Sequence, residues 1–110
     1  MKNNLRKLFV VASALTAVAS VQAATVKTTV HAPFGDYVAY LFRVGDANPT
    51  STTAPFRIDG GKVVSFTGVS GGDWFIRVRE VSNVMVGQTP AGHLNFYYST
   101  PLTLPDLWLP

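Results

Sequence analysis

Val64-Ser65-Phe66-Thr67-Gly68-Val69-Ser70-Gly71-Gly72-Asp73-Trp74-Phe75-Ile76 decides the fold. Apolar and polar side chains alternate on both sides of a Ser-Gly-Gly-Asp turn. A period of two places Val64 and Phe66 on one face of a strand. Glycine supplies the backbone freedom that a tight reversal requires. Beyond the turn, Trp74, Ile76 and Val78 share one face, and Phe75, Arg77 and Arg79 take the other. The stretch therefore reads as strand, turn, strand.

Working outward toward the N-terminus, Phe56 to Asp59 and Lys62 to Phe66 flank Gly60-Gly61, which predicts a tight hairpin. Phe56 and Ile58 face inward there, Arg57 and Asp59 outward. Gly45 to Pro55 is polar, contains Asn48-Pro49 and Ala54-Pro55, and reads as a mobile loop. Tyr37 to Val44 is the strongest strand. It is apolar on both faces, which predicts a central position covered on both sides. Pro33-Phe34-Gly35-Asp36 reads as a turn. Before it, Thr25 to Ala32 alternates, with Val26, Thr28 and Val30 on one face and Lys27, Thr29 and His31 on the other.

Toward the C-terminus, Asn83 to His93 reads as irregular. Leu94 to Tyr98 and Leu102 to Leu104 form one last strand broken at Pro101. Residues 105–110 are an apolar tail bounded by prolines. No amphipathic helix follows residue 24. Six or seven short strands with turn signals imply a sandwich or a barrel, and two layers best hide the apolar faces of so short a chain.

The N-terminus has a different character. Met1 to Lys7 carries three cations and no anion, and Leu8 to Val21 is apolar and small. Val21-Gln22-Ala23 offers a cleavage site before Ala24. This is the plan of a secretory signal, and the apolar run is shorter than the roughly 20 residues that span a bilayer. The expected organisation is a signal peptide over 1–23, a β-domain over 24–104 and a tail over 105–110. The expected location is periplasmic or extracellular, at a bacterial cell envelope or beyond it, with no membrane span after cleavage.

The formal charge of +3 comes from the leader. Without Lys2, Arg6 and Lys7 the remaining cations and anions balance, so the domain lacks the basic field that binds nucleic acid. Cysteine is absent. An exported domain this small, with no disulfide, depends on its core or on self-association for stability.

The opening stretch resembles the strand–turn–strand of Cna protein B-type and other prealbumin-like domains, which typically read Val-x-Phe-x-Gly-Leu-x-x-Gly-x-Tyr-x-Val. Val69 stands at the Leu position and Trp74 at the Tyr position. The resemblance implies that the aromatic plugs the sandwich end, with the Trp74 indole N–H free to donate. Tyr37 to Arg43 and Trp74 to Asn83 also resemble two strands of a fibronectin type III domain. Together these imply a small immunoglobulin-like β-sandwich of six to seven antiparallel strands, preceded by a cleaved signal helix. In the first family a strand Lys often joins an Asn through an isopeptide bond. Lys27 lies in the first strand as such a Lys does, but Glu80 falls two residues past the expected acid and the last strand supplies no matching Asn.

Catalytic and metal motifs are sparse. Gly68-Val69-Ser70-Gly71-Gly72 matches the nucleophile-elbow string, but between two strands it reads as a β-turn. His31 and His93 lie outside zinc spacing, and the acids are scattered singly. No enzyme activity, metal or cofactor is expected. The outward aromatics are the better clue: Phe75, Tyr97 and Trp108 are the expected interaction surface. The expected function is a non-catalytic binding or adhesion module whose partner is a protein or a glycan. The alternatives are a self-associating structural subunit of a surface filament or matrix, built through its apolar tail or strand-like start, and a carbohydrate-binding module.

Overall fold

A computed structural model describes residues 23–82, 86–96 and 100–110. The proposed signal, up to residue 22, lies outside the described residues. No helix occurs among those described, and none there is long and apolar enough to cross a membrane. Among the described residues eight strands form one hydrogen-bonded sheet: β1 (Ala24–Arg43), β2 (Ser51–Thr52), β3 (Phe56–Val69), β4 (Gly72–Glu80), β5 (Val86–Gln88), β6 (Gly92–Leu94), β7 (Leu102–Thr103) and β8 (Leu107–Trp108). The chain is a small all-β domain, and its mainly antiparallel sheet is compatible with an immunoglobulin-like sandwich.

β1 organises the molecule. It pairs antiparallel with β3 along most of its length, with β2 at Tyr40 and Leu41, and with β4 from Tyr37 to Arg43. β5 and β6 extend the sheet beyond β4. β7 and β8 lie parallel to the first half of β1, opposite Val26–Lys27 and Val30–His31.

Two turns expected from the sequence are bends within strands. Pro33 to Asp36 does not reverse the chain; β1 runs through it. The register with β3 slips by one residue between Ala32 and Gly35. A bulge accommodates Pro33, which has no N–H to give to the ladder. Tyr37 fixes the bend by donating its hydroxyl to the Pro33 carbonyl at 2.7 Å. Gly60-Gly61 is likewise no hairpin. The pair sits inside β3 opposite Ala32 and His31, and Gly60 at φ +95° lets β3 follow the bend of its partner.

The bulge has a second effect. Apart from Phe42 on the opposite face, buried residues on β1 are even-numbered before it (Ala24, Val26, Thr28, Val30, Ala32) and odd-numbered after it (Tyr37, Ala39, Leu41). One extra residue reverses the parity, so both halves present their apolar sides to the same core. Ile58, Val64 and Phe66 of β3 and Trp74, Ile76 and Val78 of β4 complete that core, on the faces the alternation assigned.

The remaining differences come from pairing between distant segments. The polar Gly45–Pro55 segment carries β2 and is tied to β1: Thr50 and Thr53 donate their N–H groups to the carbonyls of Leu41 and Ala39. The supposedly irregular segment after Asn83 carries β5 and β6. Of the expected last strand, Leu94 ends β6 and Leu102–Thr103 forms β7; Asn95 and Phe96 lie outside any strand, and residues 97–99 lie outside the described residues. β7 and β8 make the count eight, and they are parallel rather than antiparallel to β1.

The tail is part of the sheet. Leu104 and Leu109 donate their N–H groups to the carbonyls of Lys27 and His31, each at 2.8 Å. Leu104, Leu107 and Leu109 are buried. Thr28, only 1% exposed, donates its hydroxyl to the Pro105 carbonyl at 2.8 Å. Two glycines let β5 and β6 close over the tail. A Cβ on Gly87 would collide with Leu109, and one on Gly92 would lie 2.7 Å from Leu104.

At one end of the core, Trp74 donates its indole N–H to the Ser70 carbonyl at 3.0 Å. The Arg43 guanidinium lies 4.4 Å over its ring and donates to Ser70 Oγ and the Gly71 carbonyl. Tyr37 is buried near Glu80. Burial first, and the Glu80 charge second, raise its phenol above the ordinary value of 10.0.

Candidate functional site: an aromatic and arginine cleft on the outer face

The sheet face turned away from the core carries the odd-numbered residues of β4. Register sets their neighbours: Phe75 faces Phe42, Arg77 faces Tyr40 and Arg79 faces Val38. β5 adds Gln88 beside Arg77 and Val86 beside Arg79. Side chains opposite one another on one face are close enough to touch. Here they do so in an ordered array.

Phe42 and Phe75 stack with ring centroids 5.2 Å apart and planes 4° from parallel. The Arg77 guanidinium lies 4.7 Å over Phe42 and 5.9 Å over Phe75. Its Nε and Nη2 donate to Gln88 Oε1 at 3.2 and 3.0 Å. Arg79 Nη2 donates to the Tyr40 hydroxyl at 3.2 Å. These contacts leave a cleft of about 280 Å³ lined by Tyr40, Phe42, Pro49, Arg77, Arg79 and Val86. Phe42 is only 7% exposed despite facing outward, because Phe75 and Arg77 cover it. The outer side of β1 is thus lined rather than covered: Val38 and Tyr40 stay half-buried where the sequence predicted full burial.

The electrostatics of the cleft are one-sided. Asp36 pairs with Arg57, Asp73 with His93 and Asp106 with His31. Glu80 accepts from Ser82. Among the described residues neither Arg77 nor Arg79 has a carboxylate partner. Each is held by a neutral side chain and, for Arg77, by aromatic faces. A guanidinium fixed in this way keeps its charge and its remaining N–H donors available.

The sequence-based candidates fall in different places. Phe75 belongs to this cleft's aromatic pair. Trp108, 71% exposed, stacks on His31 at 3.7 Å with planes 9° apart. His31 Nε2 lies 2.9 Å from Asp106 Oδ2. Because Trp108 sits beside His31 and Phe75 beside Phe42, the two rings mark opposite halves of β1 and form no common patch. Tyr97 lies outside the described residues. Sequence reasoning placed Arg77 and Arg79 on the outer face but did not join them to Tyr40 and Phe42. The only signal for that union was the unusual two-faced apolarity of Tyr37 to Val44.

Two other features bear on function. β3 pairs only with β1 among the described residues, so its second edge is open over a 14-residue strand. No group of three or more His, Asp or Glu side chains placed to hold a metal occurs among the described residues. Lys27 lies on the half-buried outer face of β1, opposite Ser65 and Thr103. No family model matches the chain, and neither the curated proteins nor the solved structures yield a match.

Proposed function

We propose that the chain is an exported, non-catalytic binding module of the cell envelope or extracellular space, and that the aromatic and arginine cleft is its binding surface. The cleft carries the proposal. Aromatic rings and two fixed guanidinium groups on a sheet face do nothing for the core, which lies on the other side. Aromatic and arginine side chains dominate the energetics of recognition surfaces. For export, the support is the tripartite N-terminus and a first strand that begins at Ala24, the residue left in front by the expected cut. A Cna protein B-type or related prealbumin-like identity is supported by the β3–turn–β4 unit, with Val69 and Trp74 at its family positions.

A structural subunit is the second reading. The open edge of β3 supports it, since an unpaired edge is a template for another strand. The apolar tail gives it less support, because the tail is committed to its own β1. Sedimentation velocity on the purified exported chain separates the readings. A monomer at every concentration is expected for the binding module. A polymer or a concentration-dependent oligomer would overturn it in favour of self-assembly through β3.

A further inference from the structure

We infer that the cleft takes a carboxylate side chain carried beside apolar side chains on a segment of a partner protein. This deepens the binding reading above and rests on it. The carboxylate follows from Arg77 and Arg79, two guanidinium groups in one cleft with no carboxylate partner among the described residues. Arg77 is pre-positioned: Gln88 holds Nε and Nη2, and the Phe42 face supports the plane. Its Nη1 group and the free N–H donors of Arg79 remain for the forked geometry that a carboxylate accepts.

The rest of the lining argues for a peptide rather than a sugar. Tyr40, Phe42, Pro49 and Val86 are mostly apolar walls. Of the neutral polar groups at hand, Gln88 Oε1 already accepts from Arg77 and the Tyr40 oxygen from Arg79, which leaves only the Gln88 amide N–H groups and the Tyr40 O–H as neutral donors. The several hydroxyls of an acidic sugar would lose water against mostly apolar walls and find few acceptors in return, a costly exchange. An apolar side chain beside a Glu or Asp matches both the walls and the charge.

The test uses the full chain recovered after export, with backbone and arginine side-chain NMR signals followed during titration. The probes are capped acetyl-Phe-Glu-Phe-Glu-amide, its neutral counterpart acetyl-Phe-Gln-Phe-Gln-amide, and polygalacturonate. The acidic peptide is expected to shift the signals of Tyr40, Phe42, Arg77 and Arg79 and to bind about tenfold tighter than the neutral one, the effect of one charge-assisted hydrogen bond. Arg77→Gln and Arg79→Gln are each expected to remove most of that preference. Arg77→Lys, which keeps the charge but loses the fork, is expected to retain only part of it. Melting curves of each variant establish that the fold is intact.

Equal binding of the two peptides at the cleft would overturn the carboxylate assignment and leave the binding reading standing. Arginine-dependent binding of polygalacturonate without binding of the acidic peptide would overturn the protein partner. Absence of any shift at the cleft with all three probes would overturn this inference. Binding of the probes elsewhere on the domain, with the cleft silent, would overturn the choice of this cleft as the binding surface.

Discussion

Leu109→Ala tests the placement of the tail in the core. Leu109 is 8% exposed and packs against Gly87 of β5, while its neighbour Trp108 is 71% exposed. Truncating a buried leucine to alanine costs about 2–5 kcal/mol, through lost transfer energy and the cavity left behind. The lower part of that range, about 2–3 kcal/mol, fits a site at the rim of the core where neighbours can relax. Small domains hold about 0.05–0.15 kcal/mol per residue, which is about 4–13 kcal/mol for residues 24–110. One rim leucine therefore carries a substantial share of the whole. At about 4–8 °C per kcal/mol, melting should fall by about 10–20 °C. Trp108→Ala removes a larger side chain but only its stack on His31, so about 1 kcal/mol or less is expected. Thermal and urea unfolding followed by circular dichroism give both numbers. If Leu109→Ala unfolds with the native protein, or if Trp108→Ala proves the more damaging, the tail is not part of the core and the parallel pairing with β1 is wrong.

Three further outcomes are expected. Gly71→Ala places a Cβ 2.7 Å from the backbone and ring of Phe96, and should cost about 1–3 kcal/mol by overpacking, read from the urea midpoint. Thr28→Val keeps the shape but deletes the bond to Pro105, and should cost about 1 kcal/mol in the same assay. The folded state holds the Tyr37 proton more tightly than the unfolded state does, so the resulting stability is complete below the ordinary phenol value and is lost as pH rises through the higher folded value. Tyr37→Phe should therefore flatten the fall in stability that sets in above the ordinary phenol value of 10.0, and an unchanged alkaline slope would refute that origin.

Facing was legible in the sequence, and pairing was not. The alternation of Val26, Thr28 and Val30, of Ile58, Val64 and Phe66, and of Trp74, Ile76 and Val78 assigned each side chain to the side it occupies. That is local information, fixed by the two-residue repeat of an extended chain. Pro33 and the Gly60-Gly61 pair misled because the same residues serve turns and bulges. Which one forms depends on whether a partner strand runs alongside, and β1 and β3 run alongside each other. Pro105 made residues 105–110 look excluded from the sheet. Yet the bonds that tie the tail in use the N–H groups of Leu104 and Leu109 and the carbonyl of Pro105, and none of these is lost to a proline ring. The site followed the same rule. Phe75, Arg77 and Arg79 were visible as an outward row, but the register that sets Phe42 and Tyr40 against them joins segments more than thirty residues apart.

The tail's pairing with β1 also governs when the molecule can fold. Thr28 meets Pro105 across 77 residues of sequence. The first strand therefore stays incomplete until residues 102–109 have left the ribosome. Loop closure on this scale is slow, and contacts so distant are among the last to be rewarded. During synthesis the first half of β1 lacks its parallel partners and the part of the core filled by Leu104, Leu107 and Leu109 stays open. For a protein exported as proposed above, late closure keeps the chain threadable on one side of the membrane and lets it lock shut on the other.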